Sequence, residues 1–456
     1  MRLKNLLNRR RRNLPPKVKG PGAGVFLRLY GDPLAYLETL RHKRCDVVSF
    51  RAAGERIYLV KSPELIHEVL VTKGRQFSKG RSLERARQVF GNGLLTSEGN
   101  FYLRQRRLMQ PAFHPQRINS FAETMTQHAN RVMAEWRDGE SRDLYAEMAR
   151  LTLGVVSQTL LGTDVDAEAA KVRKAVSTLM SIFPLLMLPL GQFLQRLPLP
   201  VMRRLRRARA ELDEILYRLI NARRKEGTAR SDLLSMLLAA QDPESATGEG
   251  MTDEQLHDEV LIIFLAGHDT TNVALCWTWY LLSQHPEIEA RLHAEVDHIL
   301  ANERSPVRAD LAELDYTRKV VTESMRLYPP VWNITRRANE SCEIGGYDVP
   351  RRTLVLMSQW VMHRHPHYFD APTEFRPERW TKEFQARLPK FAYFPFGGGL
   401  RGCIGETFAW MELVLVVAAI ARRWRFEVAA KKKIVPNPLF TLRFKNGLPA
   451  SLVRRR

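Results

Sequence analysis

Cysteine is scarce: Cys45, Cys276, Cys342 and Cys403 are the only four in 456 residues, and no two form a C-x-x-C pair. That excludes a disulfide framework and a zinc site, and it fits a reducing cytoplasm. Acidic residues are also in short supply, 49 against 71 basic ones, which leaves a net charge of +22 and a pI of about 10.1. Nucleic acid is one partner for such a balance. No nucleic-acid module is recognisable, so none is expected to bind, and acidic proteins or anionic lipid match better. The stretch Met1 to Lys19 carries eight Lys or Arg, no acid and only isolated leucines, so it lacks the apolar segment of a signal peptide. Leu3, Leu6 and Leu7 form either one amphipathic turn on a membrane surface or part of a frayed basic tail. One run without charge, Ala175 to Gln195, has the length of a membrane span. Pro184, Pro189 and Gly191 interrupt it, so two short helices and a loop are expected and a transmembrane anchor is not.

What is present begins with a chain that is 45% hydrophobic, enough for a sizeable core. Pro15-Pro16 and Gly20-Pro21-Gly22 make an extended lead-in. Val47 to Phe50 and Ile57 to Val60 read as a β-hairpin, and Ser62-Pro63-Glu64 as the start of a helix with Ser62 as N-cap. Phe90 to Gly99 is glycine-rich and irregular. Thr252-Asp253-Glu254-Gln255 is a capping box, and the helix it opens need not stop before His285-Pro286. At about 1.5 Å per residue that helix is on the order of 48 Å long. Its apolar run is broken at Ala266 to Thr271, A-G-H-D-T-T, where Asp269 and Thr270 are costly unless satisfied. Local satisfaction is one reading, with Thr270 bonding back to the Ala266 carbonyl. Glu323 and Arg326 share a helix face, ordinarily a weak surface pair.

The chemistry concentrates in Phe396 to Gly405, F-G-G-G-L-R-G-C-I-G. Cys403 stands just ahead of the apolar stretch Phe408 to Ile420, where a helix N-terminus stabilises a thiolate. Gly397, Gly398 and Gly399 let the backbone turn sharply and approach a flat object. Arg401 adds a permanent cation suited to a carboxylate. A thiolate in such a loop is what a haem iron takes as axial ligand. Phe396, Gly399, Arg401, Cys403 and Gly405 fit F-x-x-G-x-R-x-C-x-G, and the stretch resembles the haem-binding loop of the cytochrome P-450 superfamily, bacterial type. The resemblance runs from about Gly31 to about Phe444.

It implies a mainly α fold with small β-sheets, a long central helix over the haem-thiolate loop, and one domain over 31–456 after a basic lead-in over 1–30. It implies a monooxygenase that inserts one oxygen atom from O2 into an apolar molecule, by hydroxylation or epoxidation of a fatty acid, terpenoid or other lipid. The cofactor is haem b, iron protoporphyrin IX, with Cys403 on the iron. Thr270 would hold dioxygen with a water, Asp269 would pass protons inward, and Ala266 and Gly267 would be small because haem and substrate lie against them. Arg106 matches the arginine of the family's W-x-x-x-R, a propionate partner, although Tyr102 and Gln105 replace the usual tryptophan and frequent histidine. Arg336 is the second propionate candidate. Glu323, Arg326 and Arg379 match the family's structural triad. Phe90, Leu94, Leu95, Val331, Trp332 and Ile334 would line the substrate pocket, and the 175–202 region would be an apolar lid flanked by Arg203, Arg204, Arg206, Arg207 and Arg209. No flavin or iron–sulfur module follows the loop. Electrons would come through a ferredoxin or flavodoxin and its NAD(P)H-dependent reductase, docking on a face with Arg104, Arg107, Arg422 and Arg423. The enzyme is expected to be a cytoplasmic monomer, with peripheral contact to anionic membrane as the open alternative. A haem sensor or carrier without catalysis, or a peroxide-driven enzyme, would not need the Asp269-Thr270 pair.

Overall fold

A computed structural model gives the fold, and it describes all residues except 1–12, 19–21, 163–170, 172–173, 180, 183–184, 186–196, 228–231, 246–247, 302–303, 429–433 and 456. The basic start and most of the expected lid lie outside the described residues. The chain divides into two compact units that alternate along the sequence. One comprises Met1–Arg81, Trp332–Glu374 and Ala386–Cys403, and the other Ser82–Val331, Phe375–Gln385 and Ile404–Arg456. Neither is one length of chain, so a single folding domain over 31–456 stands as our proposal.

The first unit is built on a five-stranded sheet. Strand β1 (Val47–Ala52) and β2 (Glu55–Val60) form the expected hairpin, but its connection is only Ala53-Gly54. Both turn residues have positive φ, 50° and 79°, which suits the right-handed twist of the flanking strands. Strands β3 (Phe77–Lys79), β4 (Ile334–Ala338) and β5 (Leu354–Met357) complete the order β1-β2-β5-β4-β3, with β2 and β5 parallel. Tyr58, Val60, Phe77, Val355 and Met357 bury one face against Ile66, Val69 and Leu70. Phe391 and Phe394 join that core, so the segment leading to Cys403 is anchored by two aromatic rings. Each buried ring or branched chain contributes about 1.5–3 kcal/mol. Ser62 caps the following helix through the Leu65 N–H, as its position before Pro63 predicts.

The second unit is helical. Its main members are α1 (Gly99–Met109), α2 (Leu144–Leu161), α3 (Pro200–Glu226), α4 (Asp253–Gln284), α5 (Asp315–Leu327) and α6 (Glu406–Ala421). Small strands at Ser141–Asp143, Trp424–Val428 and Pro449–Arg454 pair as one sheet. Helix α4 runs 32 residues and begins at the reciprocal Thr252–Gln255 capping box. It has the length and hydropathy of a membrane span, yet it is mostly buried inside the protein, so it is a core helix. Trp277 fixes its C-terminal half by stacking on Tyr328 at 3.9 Å and donating to the Leu442 carbonyl at 2.7 Å.

Candidate active-site elements

The loop of the first unit follows from its glycines. Gly397 and Gly399 have φ of +71° and +68°, which favours glycine. A Cβ on Gly399 would sit 1.9 Å from the Leu70 carbonyl oxygen, and one on Gly398 would meet the Phe391 ring at 2.5 Å. The loop is therefore pressed against its support and can take no other residue there. Its register closes with the Cys403 N–H donating to the Phe396 carbonyl at 3.0 Å, and Cys403 is exposed. Phe396 is half-buried. Buried His363 accepts the Phe394 N–H at 3.0 Å, which steadies the approach to the loop. Among the described residues no group of three or more His, Cys, Asp and Glu side chains is placed to hold a metal ion.

Arg401 has a task the sequence did not show. Its Nη1 donates to the Gly74 and Phe77 carbonyls at 3.2 and 2.9 Å, tying the loop to the start of β3. This task stands beside the expected role toward a bound carboxylate, since the guanidinium carries five N–H donors and Nη1 serves these two carbonyls. Arg336 lies in β4, is buried, and donates to the Thr335 carbonyl at 3.0 Å. Trp332 and Ile334 are half-buried nearby in sequence, the Trp332 carbonyl accepting from the Ser358 hydroxyl.

In the second unit, α4 is buried along its middle except for Ile263, Ala266, Gly267 and Thr270. Those positions are three or four apart and mark one helix face. Thr270 donates to the Ala266 carbonyl at 2.7 Å. Its proton is thereby committed, and its remaining lone pairs can accept. Gly267 has a further reason to be small: a Cβ there would lie 2.9 Å from Val156 of α2, so close helix packing also disfavours a side chain at that position.

Asp269 is buried and accepts from three donors, the Thr441 hydroxyl at 2.6 Å, the Tyr145 hydroxyl at 3.4 Å and the Arg443 guanidinium. Burial, then the Asp269 charge, pushes the Tyr145 hydroxyl well above its ordinary value, so it stays a donor. Sequence reasoning missed these partners because Thr441 and Arg443 lie more than 170 positions away. It also passed over Glu412, inside the apolar α6. Its burial raises the carboxyl to about 8, with the Thr271 hydroxyl opposing, so it is neutral at neutral pH.

The triad is assembled as expected. Glu323 accepts from Arg326 twice at 2.8 Å, from Arg379 at 2.9 Å, from the Arg376 N–H at 3.0 Å and from the Trp380 indole at 2.9 Å. On α1, Arg106 is half-buried and Gln105 is fully buried, with neither amide atom hydrogen-bonded among the described residues. An orphaned amide of that kind fits a polar group supplied by a bound molecule, and haem carries two carboxylates. Arg104 and Arg107 are engaged with Asp242 at 3.3 Å each, and Arg107 also with Glu244 at 3.0 Å. Arg422 pairs with Asp297 at 3.3 Å. These cations are largely answered within the protein, which weakens the expected docking face. Gly405 precedes α6 as its N-cap. Phe90 is buried 6.5 Å from the Phe440 ring, while Leu94, Leu95 and Val331 are half-buried.

Comparison with known proteins agrees with this chemistry. The profile of the family described as Cytochrome P450 matches residues 15–448. Cyclooctatin synthase of Streptomyces melanosporofaciens is 39% identical over 425 residues, covering 92% of each chain. Pentalenene oxygenase of Streptomyces avermitilis is 34% identical, covering 95% of this chain and 96% of that one. Among solved structures, the haem domain of cytochrome P450DA superposes with a TM-score of 0.87 at 26% identity, covering 98% and 99% of the two chains.

Proposed function

The chain belongs to the cytochrome P450 family and is a monooxygenase of that family, and on that premise we propose that it oxygenates a cyclic terpenoid. The observation that carries the reading is the exposed Cys403 at the end of a glycine loop that fits F-x-x-G-x-R-x-C-x-G. In this reading Cys403 holds the iron of protoporphyrin IX, and Arg106, Gln105 and Arg336 are its propionate partners. Bound haem supplies the activation of dioxygen, with the thiolate favouring O–O cleavage. Thr270 accepts a hydrogen bond from a water beside the dioxygen site, because its own proton goes to Ala266. Asp269 passes protons inward toward that hydroxyl, its carboxylate held in place by Thr441, Tyr145 and Arg443. Phe90, Leu94, Leu95, Val331, Trp332 and Ile334 present apolar surface to the substrate.

The substrate class is supported by the names of relatives, which include pentalenene oxygenase and cyclooctat-9-en-7-ol 5-monooxygenase. Electrons reach the protein from a ferredoxin or flavodoxin with its NAD(P)H-dependent reductase. The test is turnover with such a donor chain on cyclic terpenes and on fatty acids of similar size. Terpenes should gain one oxygen atom; conversion of the fatty acids alone would sink the substrate assignment. In the same assay Thr270→Ala should divert NAD(P)H into peroxide, and unchanged product per NAD(P)H would reduce Thr270 to its bond with Ala266.

We place the monomer in the cytoplasm, resting on anionic membrane. Helix α3 exposes Arg203, Arg204, Arg206 and Arg207, each contributing about 1 kcal/mol near such a surface. The Gly22–Gly31 helix separately exposes Leu27 and Tyr30. Flotation should recover the protein with anionic vesicles and not with neutral ones. Absence from both would leave it free in the cytoplasm.

A further inference from the structure

Three charged side chains on two helices grip the loop that follows Phe90, and we propose that Asp258, Glu259 and Arg209 position this loop and so set substrate specificity. The inference rests on the reading above, in which Phe90, Leu94 and Leu95 meet the substrate.

The grip is backbone-directed. Asp258 accepts the Asn92 N–H at 2.6 Å, and Glu259 accepts the Leu94 N–H at 2.8 Å. From α3, Arg209 donates to the Val89 carbonyl. Within the loop the Thr96 hydroxyl donates to the Gly91 carbonyl at 2.6 Å. Every one of these bonds holds main chain on either side of Phe90 or at Leu94, so the apolar side chains inherit a fixed direction.

The glycines show how close the approach is. Gly91 has φ of +77°, and a Cβ there would lie 2.1 Å from the Asp258 carboxylate. A Cβ on Gly93 would meet Ile262 at 2.8 Å and Glu259 at 2.9 Å. Two adjacent acids on α4 and two alternate glycines in the loop therefore form one matched set. Glu259 is fully buried, where a carboxylate is a poor choice for stability alone. What it supplies is a short charge-assisted bond with defined geometry.

Asp258 is in turn fixed to α3. Buried His257 stands 3.2 Å from Asp258 and 3.0 Å from Asp213, and its ring stacks on Tyr217 at 4.3 Å. Arg209 reaches Asp213 at 2.6 Å and Asp258 at 3.7 Å. A displacement of α3 would therefore act on the Val89 carbonyl directly and on Asn92 through Asp258. Helix α3 is also where the exposed arginines lie, so what touches that helix can reach the substrate loop.

The experiment compares Glu259→Leu, which removes the acceptor, with Glu259→Gln, which keeps one oxygen for the Leu94 N–H. Losing a charge-assisted bond should raise hydrogen exchange at residues 91–95 by about tenfold or more. With pentalenene as probe, Glu259→Leu should bind more weakly and spread its oxygenation over more carbons, and Glu259→Gln should return both toward wild type. The red-shifted carbon monoxide band, read in every variant, reports the haem site independently. If Glu259→Leu keeps that band and frees the loop amides, yet binds and oxygenates pentalenene as wild type does, the proposal is overturned. Should Glu259→Leu fail to fold, Arg209→Met at a partly exposed side chain is read the same way, with the same result overturning it. A wild type without the band would overturn the monooxygenase reading beneath, and this proposal with it.

Discussion

Cys403→Ala is expected to abolish the red-shifted absorption that carbon monoxide gives with a reduced thiolate-bound haem, and to abolish turnover with it. Cys403 is exposed, and its N–H is already bonded to Phe396, so the loop keeps its shape when the sulfur is removed. Two of the three other cysteines are held as protonated thiols. Cys276 is fully buried beside the Asn272 side chain at 3.3 Å, and burial raises its thiol well above the ordinary range. Cys342 lies in a short strand, where burial again pushes the thiol up. A protonated thiol is a poor metal ligand. Alanine at Cys45, Cys276 or Cys342 should accordingly leave the band intact. A Cys403→Ala protein with a normal band would end the assignment of the iron ligand, and with it the reading of the whole loop.

Much of this was legible in the sequence because the signals were local. The capping box at Thr252, the Ser62 cap and the hairpin all depend on residues within a few positions of one another, and each is present in the structure. The thiolate loop is likewise ten consecutive residues. Contacts between distant segments were not legible. Nothing near Arg401 says that its guanidinium serves the Gly74 and Phe77 carbonyls, over 320 positions earlier. Gly267 looked like room for a ligand, and only the course of α2 shows that Val156 also packs against it. Nothing in the sequence marks the task of the Asp258–Glu259 pair, since its partners at Asn92 and Leu94 are about 165 positions away. Glu412 was lost inside an apolar run, because hydropathy averages over the one residue that differs.

Glu323→Gln should be the most destabilising of the single substitutions considered. Glu323 and Arg326 are fully buried, and Arg379 is nearly so. Around them the Glu323 carboxylate collects five hydrogen bonds from four residues. Replacing such a group with apolar residues throughout can be neutral, but removing one partner leaves uncompensated charge in a medium that cannot solvate it. Glutamine keeps the shape, offers one acceptor oxygen instead of two, and turns an amide N–H₂ toward guanidinium donors. Two buried cations would then lose the Glu323 charge, at a cost of about 3–5 kcal/mol. For a chain of this length that is a fall of about 4 °C in the thermal midpoint if unfolding is cooperative. The same helix offers a control. Asp315 pairs with Lys319 at 2.6 Å, but its side chain is mostly exposed, and Asp315→Asn should cost only about 0.5 kcal/mol. Thermal melts of the two variants, made side by side, give the contrast. Equal midpoints would mean that the Glu323 cluster contributes no more than a surface pair, and that its role in holding the fold has been misjudged.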